Sequence, residues 1–486
     1  MQRDEHSDGI SQRKNRRFKF SQRPRVSSAD ILLNALKPFE SIEFQDDDYD
    51  NPAIVLGKLL TTLSISSSEM QDLHKIQTLV FKVDGEWQTQ PNSSEILAAS
   101  VHQLIVCLLS PDSSVNFQKN FLLSSPSFVN PRFLLAAIYQ RYFTDISLPG
   151  CNVKDNDEIK NIIRPRAVNV IKFWLKQCPY QFDKEMVRSL NIFLEALNHD
   201  KAMENLAKNV STALNEFNGI KTNTTKTTIR EPPPLNIPST PPETWTLQQI
   251  EPHELARQIT LFHSHIFHNI TPLELLAALW GNSKCGGCPN IIKLQEHFDL
   301  LSRFISHSII FPATPKERAN EFKRWFEVGQ QFEEQLNFNG LFSVICGITH
   351  RSVVRMEQTM KIAYKSINKK ELDALTDLCE IAQDFKNYRQ RLQNTTDHCV
   401  PFIGCFQKDL VYIQESYPNK INDLINFKKC SESYKLIERI AMFQNQDYCF
   451  FLNDTIQRLI ENIPPCGDTL ELITLSKERE PTQPHK

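Results

Sequence analysis

The sequence predicts an all-α protein of two helical domains, a smaller one followed by a larger helical bundle with a protruding helical hairpin, joined by a proline-rich linker. Three observations carry that expectation. Glycine supplies only 13 of 486 residues, below the average usage of about 7%, which disfavours loop-rich architectures. Apolar residues recur at helical spacing on both sides of a central break, and no period-2 run is long enough for a convincing sheet. The break itself, 219–243, has six prolines between 232 and 242, and such a stretch cannot join a helix.

The elements follow in order. Residues 1–50 read as a disordered tail, with seven Lys/Arg and no acid from Arg13 to Arg25, then the acidic Asp46-Asp47-Asp48. The basic stretch 13–25 is either a solvated arm or a contact for anionic lipid, nuclear import or phosphorylation near Arg25-Val-Ser27. A helical region spans 51–218. Ile54, Leu56, Leu59, Leu60 and Leu63 open it, and Val168, Val170, Ile171, Trp174 and Leu175 follow Pro165, which can start a helix. The linker 219–243 is semi-rigid and extended, and its prolines at 232–242 could dock an SH3-type partner. Residues 244–476 read as helical again. Pro252 and Thr271-Pro272 each start a helix, and the chain closes with a disordered tail, 477–486. Near the end, Pro401 to Asn419 reads as an amphipathic helix stopped by Pro418, with a second helix through Ile425 and Phe427 completing the hairpin. Lys408, Val411 and Glu415 share one face at i, i+3 and i+7; Phe402, Phe406, Leu410 and Ile413 form the apolar side.

Composition excludes several functions. Lys+Arg 55 against Asp+Glu 57 gives net charge −2, so there is no global field for nucleic acid. Twelve cysteines without framework spacing fit reduced thiols. The N-terminus lacks a secretory core and no apolar run spans a bilayer, so a soluble, cytoplasmic protein is expected, with recruitment to a membrane surface left to the basic stretch. Phosphate-loop, nucleophile-elbow, zinc-protease and dinucleotide signatures are missing. Cys285-Gly-Gly-Cys288 lacks a second pair for zinc, His263, His265 and His268 read as polar-face histidines on one helix, and His398-Cys399 lacks an orienting third group. No metal, no cofactor and no self-contained covalent chemistry are expected.

The hairpin residues resemble a known family. Val400-Pro-Phe-Ile-Gly, Lys408-Asp-Leu, Glu415, Pro418-Asn419 and Leu424-Ile-Asn-Phe-Lys look like the exchange hairpin of Ras-family guanine-nucleotide exchange factors. Ile250 to Leu261 resembles the opening of their catalytic domain, Pro289-Asn-Ile-Ile its next signature, and Leu336-Asn-Phe-Asn-Gly-Leu341 with Arg355 its central one. Asn120-Phe-Leu, Phe128 to Pro131, Arg141-Tyr142 and Arg164 to Leu175 look like the N-terminal Ras exchanger motif domain. The resemblance covers about 95–475.

It implies a protein that opens a Ras-like small GTPase of Ras, Rap or Ral type, releasing GDP for GTP by inserting the hairpin beside the nucleotide. It implies catalytic roles for Glu415, at the phosphate-loop site, and for Val411, which crowds out magnesium. It also implies an aromatic pocket of Phe342, Phe385 and Phe402 for a switch-2 tyrosine, with Lys408 and Thr349 as further GTPase contacts. The N-terminal domain would brace the hairpin. Three departures stand out: Asn426-Phe-Lys-Lys-Cys-Ser431 in place of a more basic run, Thr349-His350 where the family commonly shows an asparagine, and Glu415-Ser-Tyr-Pro418 without the usual glycine. The alternative is a catalytically inactive GTPase-binding scaffold.

Overall fold

The computed structural model describes residues 49, 51–78, 86–90, 95–144, 153–217, 231–280, 287–395, 398–444 and 447–481. The basic stretch 13–25, the acidic patch 46–48, linker residues 219–230 and Cys285 lie outside them.

The N-terminal unit contains α1 (Pro52–Thr62), α2 (Ser67–Thr78), strands β1 (Trp87–Thr89) and β2 (Ile96–Ala99), then α3 (Val101–Leu108), α4 (Val115–Ser124), α5 (Pro131–Phe143), α6 (Val153–Gln177), α7 (Lys184–His199) and α8 (Glu204–Phe217). Asn51, Ser100, Ser114, Asn130 and Asp183 cap five of these helices by accepting backbone N–H bonds, the arrangement short polar residues favour at helix starts. Trp174, Tyr139, Phe121 and Phe193 are buried at its centre. Pro165 lies inside α6 rather than at its start. A mid-helix proline forfeits one backbone bond, and the burial of Val168, Ile171 and Trp174 on the turns that follow offsets that loss.

Residues 231–241 run without helix or strand, anchored where Asn236 N–H donates to Glu254 Oε2 at 3.2 Å and the Trp245 indole donates to the Thr240 carbonyl at 2.8 Å. The C-terminal unit follows with α9 (Pro252–His268), α10 (Pro272–Trp280), α11 (Pro289–Ile310), α12 (Pro315–Glu334), α13 (Phe338–Ile348), α14 (Arg351–Val354), α15 (Glu357–Ser366), α16 (Lys369–Leu378), α17 (Ala382–Gln393), α18 (Ile403–Ser416), β3 (Lys420–Ile421), β4 (Leu424–Asn426), α19 (Phe427–Phe443), α20 (Asp454–Glu461) and α21 (Thr469–Arg479). Its axis is α13, whose residues Phe338 to Ile345 are all buried between α11 and α12.

Two expectations are corrected here. A small antiparallel sheet exists, ordered β1-β2-β4-β3, and it joins the two units. The segment 477–486 does not begin as a tail: Lys477 to Arg479 continue α21, and Glu480 is buried. The Glu480 carboxylate accepts from Arg318 Nη2 at 3.1 Å and Thr359 Oγ1 at 2.9 Å. Arg318 is itself wholly buried. Cutting the chain after Ser476 strands that guanidinium, and losing one member of a buried ion pair costs about 3–5 kcal/mol. Thermal unfolding of the truncated protein is therefore expected well below that of the full chain; an unchanged midpoint would show that the pair contributes nothing.

His263 departs from the polar-face expectation too. It is fully buried and linked to a second helix. Asn337 Nδ2 reaches His263 Nδ1 at 3.3 Å, His263 Nε2 reaches His297 Nδ1 at 2.9 Å, and His297 Nε2 reaches the Ile460 carbonyl at 3.3 Å. A carbonyl only accepts, so His297 donates from Nε2; burial disfavours a charged ring, and as a neutral imidazole His297 then accepts at Nδ1. Burial holds His263 well below the usual imidazole range, aided by the facing His297, and burial brings His297 down to about 4. Between about pH 4 and the unfolded value of about 6.5, the unfolded chain binds protons that the folded chain refuses. Stability is then full above pH 6.5 and falls as the pH drops toward 4. Melting temperature measured from pH 7.5 to 4.5 should decline through that window, and the decline should shrink in His297→Gln.

Candidate functional site: the protruding hairpin

The hairpin begins where the chain leaves α17 and meets α13. Val400 N–H donates to the Leu336 carbonyl at 3.0 Å, Phe338 N–H to the Val400 carbonyl at 2.9 Å, and Phe402 N–H to the Tyr388 hydroxyl at 2.8 Å. Helix α18 starts from this base. Ile403, Cys405, Phe406, Leu410 and Ile413 are buried, which is the 3.6-residue pattern of a one-sided helix. The opposite face is bare: Lys408 and Glu415 are exposed, Val411 is 49% exposed and Tyr412 62%. Among the described residues none forms a hydrogen bond or ion pair with the Glu415 carboxylate.

The return arm differs from the expected helix. After Pro418 the chain forms a two-residue β-turn at Asn422 and Asp423, with φ of 47° and 65°, and β3 pairs with β4 in register Lys420↔Ile425 and Ile421↔Leu424. Positive φ at both central positions is the geometry that matches strand twist, and Asn and Asp tolerate it. Helix α19 starts only at Phe427. Its cap, Asn426, accepts from Lys429 N–H at 3.3 Å and donates to the Pro418 carbonyl at 2.9 Å. One buried side chain thus ties the tip to the second arm.

The three phenylalanines come together. The Phe342 and Phe402 rings stack with centroids 4.0 Å apart and planes within 4°, and Phe385 lies 6.3 Å and 5.9 Å from them. Phe342 is 2% exposed, Phe385 5% and Phe402 8%, so the cluster is packed closed, with Phe402 presenting its most accessible edge. Gly404 makes this possible, since a Cβ there would collide with the Phe402 ring. Lys408 Nζ lies 5.6 Å above the Phe385 ring and 2.7 Å from Asp384 Oδ1. Thr349 stands two turns along α13 from Phe342, exposed, its hydroxyl donating to the Ile345 carbonyl at 2.6 Å.

Phe385 reaches the cluster from an unusual backbone. Gln383, Asp384 and Phe385 have φ of 52°, 60° and 57°, a left-handed turn of non-glycine residues that costs roughly 1–2 kcal/mol per residue. Periodicity carries no trace of it. Arg389, one turn further on, was also missed, though it donates to both oxygens of Asp409 on α18 at 3.0 and 2.7 Å; its pKa is raised, above all by that bond.

The N-terminal unit grips the same hairpin from the other side. Strand β2 pairs with β4 in register Ala98↔Asn426 and Ala99↔Ile425. Phe117 stacks on Phe427 at 4.9 Å, and Asn120 Nδ2 donates to Ser431 Oγ at 3.1 Å. Among the described residues no cluster of His, Cys, Asp or Glu could hold a metal ion, and no helix is long and apolar enough to cross a membrane.

A two-part helical protein with one hairpin clasped by both parts is the class these features define. Residues 254–431 match the RasGEF domain and residues 95–197 match the RasGEF N-terminal motif. The chain is 27% identical over 399 residues to Ras guanine nucleotide exchange factor J of Dictyostelium discoideum, covering 79% of this chain and 48% of that protein. It is 28% identical over 401 residues to factor I of the same organism, covering 80% of this chain and 47% of that protein. It is also 29% identical over 319 residues to the protein son of sevenless of Drosophila melanogaster, covering 63% of this chain and 20% of that protein. The chain therefore belongs to the Ras guanine nucleotide exchange factor family, while spanning half or less of the length of these relatives.

Proposed function

We propose that the protein promotes GDP release and GTP loading on a Ras-like small GTPase of Ras, Rap or Ral type by inserting the α18 hairpin beside the nucleotide site. The observation that carries this reading is the outward face of α18: a bare carboxylate at Glu415 and an exposed apolar side chain at Val411, on a helix fixed at its base, its back and its return arm. Such a helix delivers a negative charge and an apolar wedge to a partner without first disordering itself. Nucleotide held near picomolar affinity is bound by about 16 kcal/mol, more than one side chain displaces, so the surrounding interface must supply the rest. Standard interfaces bury roughly 1,200–2,000 Å², and the edge of the Phe342–Phe385–Phe402 cluster, with Lys408 and Thr349, offers anchoring points for one. Reciprocity then releases the exchanger: what it does to nucleotide affinity, incoming nucleotide does to its own. The reaction makes and breaks no covalent bond. Residues 13–25 would add contact with anionic lipid, about 1 kcal/mol per basic side chain, and the six prolines at 232–242 would offer docking positions to an SH3-type partner. The experiment is release of a fluorescent GDP analogue from a panel of Ras, Rap, Ral and Rho-type GTPases, with Glu415→Ala alongside. Acceleration of one Ras-like member supports the reading; binding without acceleration anywhere supports the scaffold.

A further inference from the structure

The geometry points to Arg389 as the residue that sets the angle of the hairpin, and so as a positioning residue for the exchange reaction proposed above, on which this inference rests. Arg389 lies on α17, outside the hairpin, and its side chain is only 23% exposed. Its fork faces two ways. Nη1 and Nη2 donate to the two carboxylate oxygens of Asp409 on α18 at 3.0 and 2.7 Å. Nε donates to the Asp384 carbonyl at 2.8 Å and lies 3.2 Å from Asp384 Oδ2. Asp384 is the middle residue of the left-handed turn, and its Oδ1 takes Lys408 Nζ of α18 at 2.7 Å. On the return arm, Arg439 of α19 comes within 3.8 Å of Asp409 Oδ2. Both arms of the hairpin thereby meet at the Asp409 carboxylate that the Arg389 guanidinium holds.

The physical case rests on direction. Apolar burial of Phe406, Leu410 and Ile413 sets how firmly α18 sits, but burial is non-directional and tolerates a small roll of the helix about its axis. A bidentate guanidinium–carboxylate pair does not tolerate it, because two parallel bonds fix the plane of the carboxylate as well as its distance. Asp409 precedes Val411 by two residues and Glu415 by six, so a roll at Asp409 displaces both. The left-handed turn points the same way. Non-glycine residues in that region persist only where their surroundings over-determine them, and such strain clusters at functional sites. Here the surroundings are the hairpin's own Lys408 and the Arg389 fork, so turn and hairpin hold each other. Lysine cannot replace arginine in this role, since a point charge lacks the second parallel bond.

The test is a double-mutant cycle on the full chain with Arg389→Lys, Asp409→Asn and the double variant, read in two ways. On the GTPase that the wild type accelerates, the plateau rate of GDP-analogue release should fall about tenfold in each single variant, as misplacement of a reacting group does. The exchanger concentration at half-maximal rate should move far less, because the partner-facing side chains are intact. The double variant should be no slower than either single one. Independently of any GTPase, hydrogen exchange of the amides of 403–416 should quicken in Arg389→Lys while those of α12 stay as protected as in the wild type. Singles that add up, an unchanged plateau with unchanged protection, or a general loss of protection and melting temperature would each overturn the assignment. If the wild type accelerates no GTPase, the exchange reading falls, and the protection of 403–416 alone decides whether Arg389 holds the hairpin.

Discussion

Glu415→Ala is expected to slow GDP release from the responsive GTPase by about tenfold or more, equivalent to at least about 1.4 kcal/mol in the barrier, with the melting temperature unchanged. The two halves of that expectation have separate grounds. The carboxylate is exposed on the outer face of α18 and bonds to no described residue, and surface substitutions of that kind fall within about 0.5 kcal/mol of stability. Its contribution to exchange, on the function proposed above, would come from the partner's phosphate-loop site, where a charge-assisted hydrogen bond is roughly twice as strong as a neutral one. Removing it deletes the interaction in the displaced state and nothing in the free protein. Glu415→Gln separates charge from shape, and a rate between those of wild type and alanine is expected. A melting temperature several degrees lower in Glu415→Ala would instead assign the residue to the fold.

The role of this residue is implied by the family resemblance alone; its position on the helix was legible from spacing, and the limits of spacing explain what was not. An amphipathic helix writes its buried face into the spacing of its apolar residues, so Phe406, Leu410 and Ile413 on one side and Val411 and Glu415 on the other were legible along α18. Helix starts at Pro252 and Pro272 were legible for a similar local reason, since proline is preorganised for the first turn. The features that position the hairpin are long-range or contrary to local preference. Strand β2 and strand β4 are separated by more than 300 residues and are four and three residues long, too short for a period-2 pattern. The left-handed turn at 383–385 opposes the preference of Gln383 and Phe385, and the closed ring cluster, the Asp384 ion pairs and the bond from Arg389 to the Asp384 carbonyl hold it. His263 looked like a surface histidine until α11 supplied His297 across the interface. Glu480 sits in a stretch rich in charge, and only the buried Arg318 draws it inward. In each case the sequence contains the side chain and the partner, but not their proximity.

Deleting residues 1–218 is expected to abolish most exchange activity and to lower stability together, because the N-terminal unit forms part of the hairpin's own sheet. Without β2, strand β4 keeps only β3, two residues long, and a lone two-stranded hairpin is marginal in water. Ile425 and Phe427, 6% and 4% exposed in the intact chain, would face solvent on the side that β2 and Phe117 now cover. Full exposure of one such side chain costs about 1.5–3 kcal/mol. The loss would fall on the segment that fixes Asn426, the cap that ties the tip of α18 to α19, so Glu415 and Val411 would remain on a helix whose outer end is free to wander. Phe117→Ala in the full chain isolates this contact without removing a domain. It should lower the release rate more than half-maximal binding of the GTPase, and it should raise hydrogen exchange across 420–430 before it affects α12 and α13. A soluble, folded and equally active protein after the deletion would refute the brace, because a hairpin that holds its geometry on β3 and β4 alone has no need of the strand that pairs with it.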